Sequence, residues 1–252
     1  MTGSNLTTGT FKDGNDRNYS YLYDKEKYTS LWIAYPLYKA TCAGSQKYSG
    51  NWASTPGFTS SEQINIWSGS YGVNYGDGDL YARGHQIPDA DRQYNQTMVS
   101  QTYYAINSTP QIQYGFNGGI WNSLEKSIRD MVITKDETVY IVTGAAFRKG
   151  NETPNITWIQ PAHDSKACPV PNYYWKAVLR IKYNASGEME SAQSIGFWFE
   201  HKVYSNTSPT NCSVTVDQIE TWTDFDLFAN LPDDIEADAE TNSNWNTFYN
   251  FQ

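Results

Sequence analysis

The stretch YARGHQIPDADR, residues 81–92, holds one of only three histidines in a chain of 252 residues. Strand-like sequence leads into His85 and turn-forming sequence follows it. An imidazole has an ordinary pKa near 6.5, so His85 can accept a proton from water at neutral pH. It can equally ligate a metal or sit as a polar residue in a turn. Arg83, two residues earlier, presents a forked cation suited to a phosphate.

Two segments extend the pattern downstream: NSTPQ at 107–111 and FNGGIWNSLE at 116–125. From about Gly119 to Val132 the sequence predicts a helix, with Trp121, Leu124, Ile128, Met131 and Val132 on one apolar face. Gly118 and Gly119 permit backbone angles closed to other residues and let Asn117 face inward at the helix entrance. An asparagine carbonyl is a neutral, hard oxygen ligand that suits Mg²⁺. Glu125 lies at the edge of the buried stripe and needs a partner. Arg129, one turn on, offers an ion pair, and a bound cation or its waters would satisfy the carboxylate too. The helix alone favours the ion pair.

Four segments predict strands: LWIAYPLY from Leu31, TVYIVTGAAF from Thr138, YYWKAVLRIKY from Tyr173 and SIGFWFEH from Ser194. The second is apolar almost throughout and suits a central strand covered on both faces. In the third, Trp175, Ala177, Leu179 and Ile181 alternate with Lys176, Val178, Arg180 and Lys182. That gives a core face and a mostly basic face, read as solvated or, less favoured, as lining a nucleic-acid groove. No repeat or linker divides the chain, so residues 1–252 read as one α+β domain with a central, largely antiparallel sheet flanked by helices. Residues 237–252 lack a period and are expected to fray as a flexible tail.

No apolar run approaches the roughly 20 residues needed to span a bilayer, so a soluble protein with no membrane partner is expected. The N-terminus lacks a basic segment followed by an apolar one, so no intact secretory signal is expected within this sequence. The sparing use of cysteine and the low charged fraction of 18% suggest a secreted or periplasmic protein. Cys42, Cys168 and Cys212 lack metal-knuckle or redox spacing; Cys168 and Cys212 are candidates to pair. The net charge of −9 argues superficially against a polyanionic partner. Its distribution removes that objection, because residues 213–252 carry nine acidic residues and no Lys or Arg. The remaining 212 residues balance 18 basic against 18 acidic residues. An acidic segment of this kind reads as a solvated face or tail.

On these blocks the chain resembles the DNA/RNA non-specific endonuclease family, the sugar-nonspecific nucleases of the ββα-metal superfamily. RGHQIPDADR is similar to the family's D-R-G-H signature, and NSTPQIQYGFNGGIWNSLE to its N-x-x-P-Q…N-x-G-x-W-x-x-L-E segment. RNYSYLYDKEKYTSLWIAYPLY resembles the entry strands. IVTGAAF, VPNYYWKAVL and VTVDQIETWTDFDLFANLPDDIE resemble the later strands and the closing helix region. The resemblance implies a ββα-metal (His-Me finger) core over about 78–133 and Mg²⁺-dependent hydrolysis of DNA and RNA to 5′-phosphate products. Mn²⁺ or another divalent ion could substitute for the single Mg²⁺.

Carried over by motif, His85 would be the general base, Asn117 the direct metal ligand and Glu125 the carboxylate holding metal-bound water. Asn107 would brace the site and Arg83 would contact phosphate. This reading displaces the ion pair as the main role of Glu125 and leaves Arg129 as a further partner. Two departures stand out. The family's aspartate before Arg-Gly-His is Ala82 here, which points to reduced or retuned activity. Its upstream phosphate-binding arginine has only Lys47, in GSQKYSGNW, as a counterpart, and a lysine lacks bidentate geometry. The alternatives are a weak or inactive nuclease scaffold that binds without cleaving, supported by Ala82, and a glycan-binding module, suggested by the many Tyr and Trp residues. His163 and His201 match no motif and read as structural. No protein partner and no oligomeric state can be read.

Overall fold

Residues with alternating or continuous apolar character build a seven-stranded antiparallel sheet in this computed structural model, which describes residues 5–72, 74–75 and 79–252. Position 78, where the metal-finger core was expected to begin, lies outside the described residues. The strands are β1 (Leu6–Asp13), β2 (Asp16–Asp24), β3 (Thr29–Leu37), β7 (Val139–Ala146), β10 (Tyr173–Tyr183), β11 (Met189–Glu200) and β12 (Ser213–Val214), in the order β1-β2-β3-β7-β10-β11-β12. A three-stranded sheet of β4 (Asn74–Tyr75), β5 (Asp79–His85) and β6 (Ser108–Ile112) stands beside it. β8 (Thr157–Ile159) and β9 (Cys168–Val170) form a separate pair. The helices are α1 (Lys39–Cys42), α2 (Gln96–Gln101), α3 (Asn122–Lys135), α4 (Val216–Thr223), α5 (Asp233–Ala239) and α6 (Trp245–Tyr249).

The large sheet is buried on both faces. Ile33, Ile141, Tyr174, Val178 and Phe197 join Leu124, Ile128, Met131 and Val132 of α3 in the main core. On the other face Trp175, Ala177 and Trp198 pack with Val216 and Ile219 of α4. At Gly144, in the centre of β7, a Cβ would meet the Trp175 ring at 2.5 Å and the Leu31 carbonyl at 2.2 Å. Only glycine lets that indole lie flat across the strand.

This two-sided burial corrects the reading of β10. Lys176 and Arg180 do not form a solvated or groove-lining basic face: they are 1% and 3% exposed. Arg180 pairs with Glu137 at 2.7 Å and donates to the carbonyls of Phe248 and Phe251. The same contacts correct the frayed tail. Residues 237–252 include α6, whose Phe248 is fully buried, and they close over the main core. Cys168 and Cys212 are unpaired, and Cys42 is also a free thiol. Among the described residues no helix is long and apolar enough to cross a membrane.

Candidate active site

His85 stands at the last position of β5, paired across the ladder with Ser108 of β6. The two-residue side-chain period of a strand puts Arg83 and His85 on one face. β6 then runs into a wide irregular turn, residues 113–121, that leads to α3. The turn's left-handed residue is Gly115, at φ +76°, rather than Gly118 or Gly119. Gly119 is non-helical, so the regular helix begins at Asn122, three residues later than the sequence predicts. The helix stops at Asp136, whose left-handed backbone lets its N–H reach the Val132 carbonyl at 2.9 Å.

Strand, turn and helix entrance converge on a cleft of about 310 Å³ lined by Arg83, His85, Gln113, Asn117, Trp52 and Ala82, among others. A larger hollow of about 430 Å³ between β3 and residues 225–230 is lined mainly by apolar side chains and contains no histidine. The position is therefore chosen by chemistry rather than by size.

The His85 ring is wedged between Trp52, at 4.6 Å between centroids, and Tyr103, at 4.9 Å and edge-on. Trp52 is held there because Ala53 donates to the Tyr103 carbonyl and Ala105 donates back to Ala53, each at 3.0 Å. The Nε2 atom of His85 is enclosed and has no hydrogen-bond partner. The ring thus meets the cleft through Nδ1. Burial pulls the imidazole down to about 4, Asp89 opposing and Arg83 assisting. His85 is neutral at pH 7.

Arg83 donates from one nitrogen to the Ile66 carbonyl at 3.1 Å and lies 5.7 Å over the Trp52 ring, which fixes the guanidinium at the cleft wall. Asn117 donates from Nδ2 to Gln113 at 3.3 Å, so its carbonyl oxygen faces away from that partner. Asn107 does not line the cleft. Its fully buried amide accepts from the Ile87 N–H and donates to the carbonyls of Ile87 and Thr102, tying down the chain that follows His85. Lys47 is exposed and does not line the cleft; the loop beside it contributes Tyr48, packed on Tyr103 at 4.5 Å.

Glu125, on α3, does not line the cleft; it is 9% exposed, with Oε1 unpartnered. Arg129 does not pair with it: Arg129 donates to Asp91 at 2.9 Å. Burial raises Glu125 to about 7, against the pull of Lys176 and Arg129. Lys176 also has an unpartnered Nζ, 4.8 Å over the Trp121 ring, and burial lowers it to about 8. A metal fits this set. Asn117 offers a carbonyl oxygen, Glu125 a buried acceptor awaiting a donor such as bound water, and both are hard oxygen donors.

Asp91, Lys176, Trp52 and Tyr103 were missed in the sequence. One signal pointed to Lys176: β10 lies between other strands of the large sheet, so a charge in its middle is covered on its own face as well. His201 is structural, accepting from the Ile112 N–H and bonded to the Pro171 carbonyl, both at 2.9 Å.

The chain matches the DNA/RNA non-specific endonuclease family over residues 3–234. It is similar to the mitochondrial nuclease 1 of Schizosaccharomyces pombe, with 28% identity over 159 residues, 62% of this chain and 48% of that protein. The nuclease of Serratia marcescens is 28% identical over 213 residues, 83% of this chain and 72% of its own length. The chain spans about half the length of the first two curated relatives it matches, 48% and 47%. In three dimensions it resembles a chain from a crystal structure of the EndoG/EndoGI complex, with a TM-score of 0.71, 18% identity, and 90% and 88% of the two chains covered. That likeness shows that the two chains share a fold.

Proposed function

The chain belongs to the DNA/RNA non-specific endonuclease family, and from that premise we propose that it hydrolyses phosphodiester bonds of DNA and RNA in the His85 cleft. The observation that carries the proposal is a neutral imidazole, enclosed at Nε2, lining the same cleft as the Arg83 guanidinium and Asn117.

In this reading the proton of His85 resides on Nε2, and Nδ1 takes a proton from a water aligned with the scissile phosphorus. The oxygen of that water bonds to phosphorus while the bond to the 3′ oxygen breaks, leaving a 5′ phosphate. The guanidinium N–H groups of Arg83 bind the phosphate oxygens, whose negative charge grows during attack. Asn107 keeps the backbone after His85 from shifting. Asn117 would hold a divalent cation directly and Glu125 would hold it through water. Mg²⁺, or Mn²⁺ in its place, would neutralise charge on the phosphate and the leaving oxygen. Neither sugar nor base is needed by these contacts, which accords with cleavage of both nucleic acids.

The test is incubation of purified protein with supercoiled plasmid and, separately, RNA, in Mg²⁺ and in EDTA. Nicking of both in Mg²⁺ alone supports the proposal. Intact substrates in every divalent metal tried would favour a scaffold that binds without cleaving, the reading that Ala82 at the cleft wall invites.

A further inference from the structure

A second group of acidic side chains lies on the far side of the molecule from α3, where α4 meets the end of α5. Asp217 and Glu220 occupy one side of the first turn of α4, three residues apart. Glu240 follows α5 directly. One carboxylate oxygen from each of the three lies within 4.8 Å of the others.

Glu240 makes this more than a solvated acidic face. It is only 4% exposed and its Oε1 has no hydrogen-bond partner. Its backbone is pinned, because the Glu240 carbonyl accepts the Val216 N–H at 3.1 Å. The amides that could serve its carboxylate are engaged. Gln218 donates to the Thr215 hydroxyl at 3.1 Å, and Ile219 donates to the Thr215 carbonyl. Among the described residues, no ion pair involves Asp217, Glu220 or Glu240, and the segment from 213 onward has no Lys or Arg to supply one. Three carboxylates, one of them nearly enclosed, thus converge with no cation of the protein's own. Carboxylates held this way either keep a proton or bind a metal.

We propose that Asp217, Glu220 and Glu240 form a structural Ca²⁺ site that fastens the C-terminal segment to α4. All three ligands are oxygen, which selects a hard cation over zinc or copper. Ca²⁺ takes about six to eight oxygens in flexible geometry and so accepts an irregular set of carboxylates completed by waters, whereas Mg²⁺ demands a near-ideal octahedron. The exposed edge at Asp217 leaves room for waters to complete the shell. Glu240 lies beyond residues 3–234 matched by the family, and the site shares no residue with the His85 cleft.

The experiment is thermal unfolding of the full chain in EDTA and in about 5 mM Ca²⁺, carried out in an Asn117→Ala background so that the cleft does not contribute. The unmodified acidic site is expected to raise Tm by at least about 4 °C in Ca²⁺. Glu240→Gln is expected to melt higher than its parent in EDTA, because a buried repulsion is removed, and to gain nothing from Ca²⁺. Asp217→Asn, at an exposed position, is expected to lose most of the gain and decides the matter if Glu240→Gln does not fold. A parent that gains nothing, or a gain retained in both variants, would overturn the site.

Discussion

Arg129 donates to Asp91 at 2.9 Å and so leaves Oε1 of Glu125, one turn back on α3, without a hydrogen-bond partner. The Asp91 side chain is 3% exposed and that of Arg129 14%; Asp91 also accepts from the Tyr35 hydroxyl. Removing one member of so enclosed a pair strands the other charge. Asp91→Ala should lower the unfolding free energy by about 3–5 kcal/mol, read from urea titration. A loss under about 1 kcal/mol would mean that the pair is not buried as described.

In the proposed site Glu125 would be held for chemistry at the expense of stability. Glu125→Gln removes an incompletely paired buried charge, so the variant should be as stable as the parent or more so. Plasmid cleavage should fall by about 10²-fold or more. A parallel loss of both would mark Glu125 as merely structural.

Lys176 acts on Glu125 electrostatically. Its positive charge pulls the carboxyl down against burial, so Lys176→Met should move Glu125 above its value of about 7. The acidic limb of the rate profile should then shift to higher pH. An unshifted limb would remove Lys176 from this role.

The buried histidines set an acid limit on stability. His85 and His201 both titrate near 4 when folded, below the ordinary 6.5. Between those values the unfolded chain binds more protons, so their contribution is complete above about pH 6.5 and is lost as pH falls towards 4. Urea midpoints at pH 7 and pH 5 should differ less in His85→Ala than in the parent; the remainder combines His201 with the raised carboxyls of Glu125 and Glu240, which work in the opposite direction.

Asn107 should prove a brace. Asn107→Ala leaves the Ile87 N–H and the carbonyls of Ile87 and Thr102 buried without partners, a loss of more than about 2 kcal/mol by urea unfolding. A neutral effect would contradict the three hydrogen bonds that define its role.

The order of His85, Asn107, Asn117 and Glu125 was legible because each sits in a short local block whose turn and helix chemistry is written nearby. The long strands were legible for the same reason. What escaped is non-local. Asp91 finds Arg129 across 38 positions, and Trp52 reaches His85 from a loop with no period. In β10 the alternation separates two faces correctly but does not say that both are covered, and Lys176 and Arg180 were misread on that account. The C-terminal helices are too short for a hydrophobic period. They are fixed by Phe248 in the core and by Arg180 on their carbonyls, contacts that link residues 68 and 71 positions apart.

The central claim is that His85 is the base of a metal-dependent nuclease site. Its most direct test is the initial rate of plasmid nicking in Mg²⁺ by the parent and by His85→Ala, at matched folding judged by circular dichroism. The account predicts a loss of about 10²–10⁴-fold in the variant. A rate within about twofold of the parent would contradict it.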